Sequence, residues 1–184
     1  DPEDIASLEM PGLRDGELGR ILKTTRYFRR QTNGEYPIRI TDIQGPLDNA
    51  SLMMGHNNFL LAINTHPELI HRLLQMITDL IIAFVHEQRR LAEDFVPSLM
   101  QPWMPDGWGI SISNDDSVMM SSRHMESFGV PYFNQLSEVF GGFYVHSCGN
   151  WAHQIPALKK IHNLRGLEFG ASETPFETVS EHFG

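Results

Sequence analysis

The only cysteine of the chain, Cys148, follows His146 by two residues in Phe143-Tyr144-Val145-His146-Ser147-Cys148-Gly149-Asn150. The apolar residues before it read as a short buried strand, and Gly149-Asn150 reads as the turn into a helix. Successive side chains on a strand point to opposite faces, so His146 and Cys148 point the same way. Together they put an imidazole and a thiol, two donors that zinc favours, at the C-terminal end of a strand. Barrels of alternating strands and helices carry their chemistry at that end. A lone cysteine and a lone histidine also serve as packing residues in a core. The residues by themselves leave both readings open.

Carboxylates and hydroxyls accompany the pair. On the strand read over Trp108–Ser113, Ile110 and Ile112 share one face, while Ser111, Ser113 and then Asp115 share the other. A polar face ending in a carboxylate suits a substrate-binding surface and is costly in a dry core. Ser111 and Ser113 are therefore candidate substrate-binding residues, and Asp115 and Asp116 candidate catalytic ones. The alternative is that one aspartate caps the following helix. Adjacent carboxylates on a strand do not face each other, which argues against an acid/base dyad. Tyr144 shares the face of His146, where it could orient a substrate or fill a packing layer. In Gly166-Leu167-Glu168-Phe169-Gly170, Leu167 and Phe169 suit the helix-facing side and turn Glu168 inward, as a substrate-binding carboxylate or the partner of a basic residue. His56, His66, His71, His86 and His124 lack ligand spacing and read as surface or packing residues. Trp103, Met104 and Trp108 could wall a cavity mouth or plug it.

These residues need elements to hold them. Gly16–Gln31 reads as a helix stopped by Asn33-Gly34, and Pro37–Ile43 as a strand followed by the turn Gln44-Gly45-Pro46-Leu47. Short helical pieces follow at 49–54 and 57–64. The longest helix starts at Thr65-His66-Pro67-Glu68 and runs to about Ala92, with Leu69, Leu73, Ile77, Leu80, Ile81, Phe84 and Val85 as its apolar stripe. Val96–Gly107, with three prolines, reads as an ordered loop or lid. Strands are expected over 108–113, 142–147 and 166–170. Helices are expected over 122–140, bent near Gly129-Val130-Pro131, and over 151–162. A final helix opens on Thr174-Pro175-Phe176-Glu177 as a proline-containing capping box. Strands alternating with helices predict a parallel α/β fold. Four strands are about half of a closed (β/α)8 TIM barrel. The chain therefore reads as one partial barrel domain over residues 1–184, with an open α/β sheet as the alternative.

The bulk composition narrows the partners. Hydrophobic residues make up 41% of the 184 and charged residues 20%, ordinary for a globular protein, and the formal net charge is -9. That charge argues against nucleic acid, which needs a clustered basic surface. The short run Arg26-Tyr27-Phe28-Arg29-Arg30 reads as a solvated helix face. One cysteine permits no intrachain disulfide and fits a reducing, cytoplasmic setting. No signal peptide is visible, and the first residue is Asp1, so an earlier segment stays open. The most apolar stretch, Met76–Val85, contains Thr78 and Asp79 and reads as too short to span a bilayer.

Several motifs now line up. Ile43-Gln44-Gly45-Pro46-Leu47, Ala50-Ser51-Leu52-Met53-Met54-Gly55 and His66-Pro67-Glu68-Leu69 are followed by Ser113-Asn114-Asp115-Asp116, Phe128-Gly129-Val130-Pro131-Tyr132-Phe133 and His146-Ser147-Cys148-Gly149-Asn150. In order and spacing, from about Pro11 to Gly184, they resemble the uroporphyrinogen decarboxylase superfamily. The resemblance implies a (β/α)8 barrel longer than this chain, with an N-terminal portion and the last strands outside it. It also implies one of two chemistries: cofactor-free decarboxylation in porphyrin synthesis, or zinc-dependent methyl transfer between corrinoids and thiols. The His-x-Cys pair resembles the methylcobalamin:coenzyme M methyltransferase branch, whose zinc ligands include that pair and a later cysteine. Here the later cysteine is absent, and Glu168 is the candidate third ligand, since related enzymes can use a glutamate from this strand. The arginine-rich N-terminal motif of the decarboxylases is not in this chain. The reading is thus a methyltransferase using zinc, a corrinoid donor and a small-molecule thiol, with a corrinoid protein as a candidate partner. A decarboxylase and a non-catalytic barrel are the alternatives.

Overall fold

The computed structural model describes residues 2–98, 104 and 108–184. After a short turn of helix α1 (Pro2–Ile5), helix α2 (Gly16–Gln31) leads to strand β1 (Ile38–Arg39). Glu17 in its first turn and Arg29 and Arg30 in its last complement the helix dipole. Its end at Thr32 is followed by Asn33 and Gly34, both at positive φ. Helices α3 (Pro46–Met54) and α4 (His56–Thr65) are separated by Gly55, whose φ of 80° breaks the helical path. Helix α5 (Pro67–Ala92) has Pro67 at its start, as the sequence predicts. Its buried side centres on Ile70, Leu73, Leu74, Ile77, Ile81, Phe84 and Val85, while Leu69 and Leu80 are only half-buried. By length and composition α5 could cross a membrane, which corrects the reading of this region as too short. Here it packs against α2, α3 and α7 (Val130–Phe140), as the core helix of a globular protein does.

The segment expected to be a loop or lid begins with a strand, β2 (Phe95–Val96), which pairs with β1 in parallel. Two residues followed by Pro97 carry too little periodicity to register as a strand. Trp103, Pro102 and Pro105 lie outside the described residues; Met104 is buried and Trp108 exposed. Strand β3 (Ile110–Ser113) lies beside β4 (Phe143–Ser147), and β4 beside β5 (Leu164–Phe169), all parallel. The Ser111 amide donates to Pro97 O at 3.0 Å, the Ser113 amide to Ile43 O at 3.2 Å, and Gln44 bridges Ser113. These bonds join the two-stranded and three-stranded sheets into one parallel arc in chain order. The strand expected over 37–43 is therefore divided: its start pairs with β2, and its end, past the short β2, reaches β3.

One face of the arc is apolar and covered by helices. Ile110, Ile112, Phe143 and Val145 are buried there, and Phe133 of α7 stacks on Phe143 at 5.0 Å. The other face carries two rows fixed by the register: Ser111, Tyr144 and Gly166, then Ser113, His146 and Glu168. The helix expected over 122–140 is interrupted at the position where the bend was expected. It is divided into α6 (Ser122–His124), a π-helical turn Met125–Gly129, and α7. Pro131 falls in the first turn of α7, where its missing N–H interrupts the ladder. The helix expected over 151–162 is only a 3₁₀ turn, Ala152–Gln154, and α8 (Ile155–Leu158). The last helix is α9 (Phe176–Phe183), capped by Pro175 without a side-chain bond, so the capping box does not form. Thr174 is used elsewhere, in the centre described below.

Gly109 has a φ of 101°, and a Cβ there would lie 1.8 Å from the Gly142 carbonyl oxygen. Both the backbone conformation and the neighbouring main chain exclude a side chain at the entry to β3. Gly109→Ala should cost at least about 1–3 kcal/mol, seen as a lower urea midpoint with an unchanged m-value. A midpoint within error of the wild type would contradict this account of the junction.

Candidate metal centre

Cys148 Sγ lies 3.3 Å from His146 Nε2, so the side-by-side placement expected from alternation is realised at the end of β4. Cys148 is exposed, and the His146 side chain is 12% exposed. The turn beyond them depends on Gly149, at φ 79°, whose amide donates to Glu173 Oε2 at 2.7 Å. Thr174 Oγ1 donates to the Gly149 carbonyl at 3.0 Å and accepts from the Trp151 amide at 3.1 Å. The hydroxyl expected to cap α9 thus fixes the loop that carries the thiol.

Asp115 completes a cluster. Its Oδ1 lies 3.8 Å from His146 Nε2 and accepts the Cys148 amide at 2.7 Å. One ligand atom each from Asp115, His146 and Cys148 falls within 4.8 Å of the others. Asp115 stands at the head of the 3₁₀ turn Asp116–Met119, but its own side chain does not cap that turn. The cap comes from Asp48 of α3, which sequence reading missed. Its carboxylate accepts the Asp115 amide at 2.8 Å and the Asp116 amide at 3.0 Å. Asp48 is buried at 2% exposure. Burial pushes its acid up to about 7, with the charges of Asp116 and Asp115 adding to the rise and the two backbone N–H groups opposing it. Asp48 sits in the first turn after Gly45-Pro46, and only that position in a helix-start motif could have flagged it.

Glu168 does turn inward, but toward the other side of the imidazole. Its Oε2 lies 3.7 Å from His146 Nδ1, whereas Cys148 and Asp115 gather at Nε2. The third donor next to the His–Cys pair is Asp115, read from the sequence as a candidate catalytic residue. Asp116 points away from it, with Oδ2 3.2 Å from His56 Nδ1, and the same nitrogen lies 2.7 Å from Ser51 Oγ. His56, read from sequence as a surface or packing residue, is thus the half-exposed partner of an aspartate at the site. Ser111 and Ser113 are buried on the inner face, and the Ser111 hydroxyl has no protein partner. Tyr144 lies across Gly166, where a Cβ would come 2.1 Å from its ring. That contact favours the packing role for the ring. Its phenol is pushed up by burial and then by the charge of Glu168.

The Cys148 thiol is held above its usual range by desolvation first, and then by Asp115, Glu173 and Glu168. Every charge acting on it is negative. Among the described residues, the ion pairs at the cluster are to histidine and none is to lysine or arginine. A thiol, an imidazole and a carboxylate in acidic surroundings are a donor set for a divalent cation, which reverses the sign of the local field.

Compared with known families, the chain matches the model of the uroporphyrinogen decarboxylase (URO-D) family over residues 1–182. It belongs to that family, whose fold is the TIM barrel and whose superfamily members are enzymes, decarboxylases or methyltransferases. The parallel arc is in keeping with part of such a barrel. No curated protein matches the chain.

Asp48 also gives the centre a pH signature. Its folded value of about 7 lies above the ordinary carboxyl value of about 4, so the native state binds this proton more tightly than the unfolded one. The associated stability is fully present below about pH 4 and is lost as pH rises toward 7. The magnitude is on the order of 4 kcal/mol. Relative to Asp48→Asn, the wild type should lose stability between those limits in urea titrations. Parallel pH profiles for the two proteins would refute the assignment.

Proposed function

We propose that the protein is a zinc-dependent methyltransferase of this family, moving a methyl group from a corrinoid donor to a thiol. The observation that carries the reading is the convergence of Asp115, His146 Nε2 and Cys148 Sγ at the strand ends. The donor set fits zinc: tetrahedral bonds of about 2.0–2.3 Å separate ligand atoms by roughly 3.3–3.6 Å, and two of the three cluster separations are 3.3 and 3.8 Å, with all three within 4.8 Å. Cys148, His146 and Asp115 would hold the ion. Zinc supplies Lewis acidity that keeps a thiol deprotonated near neutral pH while leaving it nucleophilic.

The remaining roles belong to the chain itself. Glu168, facing Nδ1, orients the imidazole and favours the tautomer with its proton there. Asp48 fixes the Asp115 backbone and so the carboxylate that it carries. Gly149, at φ 79°, makes the turn that carries the thiol, and a Cβ there would press on Val118 at 3.2 Å. Asp116, paired with His56, adds negative charge beside the centre without facing it. Ser111 and Ser113 lie buried on the same face, beside the row of His146 and Glu168. The setting suits a cytoplasmic enzyme that takes its methyl group from a free methylcorrinoid or a corrinoid protein.

Uroporphyrinogen decarboxylation is the second reading, favoured by the description of the matching family. Its substrate carries several carboxylates and calls for cations, whereas Asp48, Asp115, Asp116, Glu168 and Glu173 make the described site acidic. That supports methyl transfer over decarboxylation.

Elemental analysis of the purified protein should give about one zinc per chain. Cys148→Ser should weaken zinc binding by at least about tenfold without unfolding the protein, because a neutral hydroxyl is a poor substitute for a thiolate. Asp115→Asn should weaken it as well, and thiol methylation from methylcobalamin should fall in both. Equal zinc content in wild type and Cys148→Ser would remove the site. Uroporphyrinogen decarboxylation by metal-free protein would favour the second reading.

A further inference from the structure

Between β4, β5 and the 3₁₀ turn Ala152–Gln154 lies a small cavity, with about 10 Å³ in which the centre of a water-sized sphere can sit. Its polar lining is Asn114, Ser117, Ser147, Trp151, Gln154 and Glu168, and the rest is aliphatic. Eight buried side-chain atoms among the described residues have no hydrogen-bond partner. Four of them belong to this lining: Asn114 Oδ1, Trp151 Nε1, Gln154 Oε1 and Glu168 Oε2. Asn114 and Gln154 are 1% exposed and Trp151 2%. Such a concentration of orphaned groups around one space is unusual for a folded protein.

The hydrogen-bond directions define the occupant. Gln154 Nε2 donates to the Ser117 and Met120 carbonyls, both at 2.6 Å, which fixes its Oε1 as the unpaired acceptor. The Ser117 and Ser147 hydroxyls already donate to the Asn114 carbonyl, at 2.9 and 3.0 Å. Of the four orphaned atoms in the lining, one carries a hydrogen, Trp151 Nε1, and three are acceptors that lack one. A molecule that accepts once and donates twice satisfies the indole and two of the three acceptors. A cation is disfavoured by the indole N–H in the wall, and the volume matches the minimum for one water.

We propose that this cavity is a binding site for a single structural water, which accepts from Trp151 Nε1–H and donates among Asn114 Oδ1, Gln154 Oε1 and Glu168 Oε2. Glu168 is also the carboxylate that faces His146 Nδ1, so the water holds it in position behind the imidazole. Trp151, Asn114 and Gln154 then act as positioning residues for the centre. That consequence, unlike the water site itself, rests on the metal reading above.

A crystal structure of the protein at a resolution that places waters tests the site directly. One peak in the cavity with at least three contacts of about 2.7–3.2 Å is expected. No peak, or contacts of about 2.3–2.6 Å that mark a hard cation, would overturn the proposal. Trp151→Phe removes the only indole N–H and should weaken zinc affinity about tenfold while the Cys148 thiol titre stays at one per chain. Unchanged affinity in a folded variant would overturn the positioning role. Failure of the wild type to bind zinc would count against the metal reading, and the peak would still decide the water.

Discussion

Parallel pairing aligns side chains on neighbouring strands into rows, and one row organises this protein. Ser113 opposite His146 and His146 opposite Glu168 set three polar side chains across the inner face of β3, β4 and β5. A slip of one residue in either pairing would turn His146 toward the helices and Val145 toward the interior. The apolar face resists such a slip, because Ile110, Ile112, Phe143 and Val145 would all leave the core. The hydrophobic effect thus holds the register, and the register positions the polar row.

The centre is assembled just beyond that row, where the strands end and the chain turns. Loops at strand ends are ordinarily loose, and here backbone N–H groups given to carboxylates tighten them. Asp48 receives two, Asp115 receives that of Cys148, and Glu173 receives that of Gly149. This arrangement concentrates negative charge and, with desolvation, holds the thiol above its usual range. The acidic side chains that serve as loop staples also supply the negative charge on which the proposed metal site rests. Structural and chemical roles are carried by the same groups.

Much of the architecture was legible in order of elements. Helices α2 and α5 were readable because sixteen and twenty-six residues give the 3.6-residue period enough length to stand out. Strands β3, β4 and β5 were readable from two-residue alternation, with ends shifted by one or two positions. Strand β2 was not, since two residues before a proline carry no period. An interruption before α7 was visible in Gly129-Val130-Pro131, whereas its form as a π-helical turn was not. Thr174 read as a helix cap because local pattern cannot see that Gly149 and Trp151 are nearer partners.

At the candidate centre, the sequence by itself determined that His146 and Cys148 share a side, because backbone geometry imposes alternation over so short a span. It also determined that Ser111, Ser113, Asp115 and Glu168 belong to polar faces of their strands. Tertiary structure alone decided that Asp115 joins the pair at Nε2 while Glu168 stands at Nδ1. That division depends on how the β3 and β5 ends approach an imidazole with two distinct nitrogens. It alone brought Asp48, sixty-seven residues before Asp115, under the backbone of the 3₁₀ turn. Contacts between strand ends and a distant helix start arise from closing the chain over a common core, and no local period in the sequence encodes them.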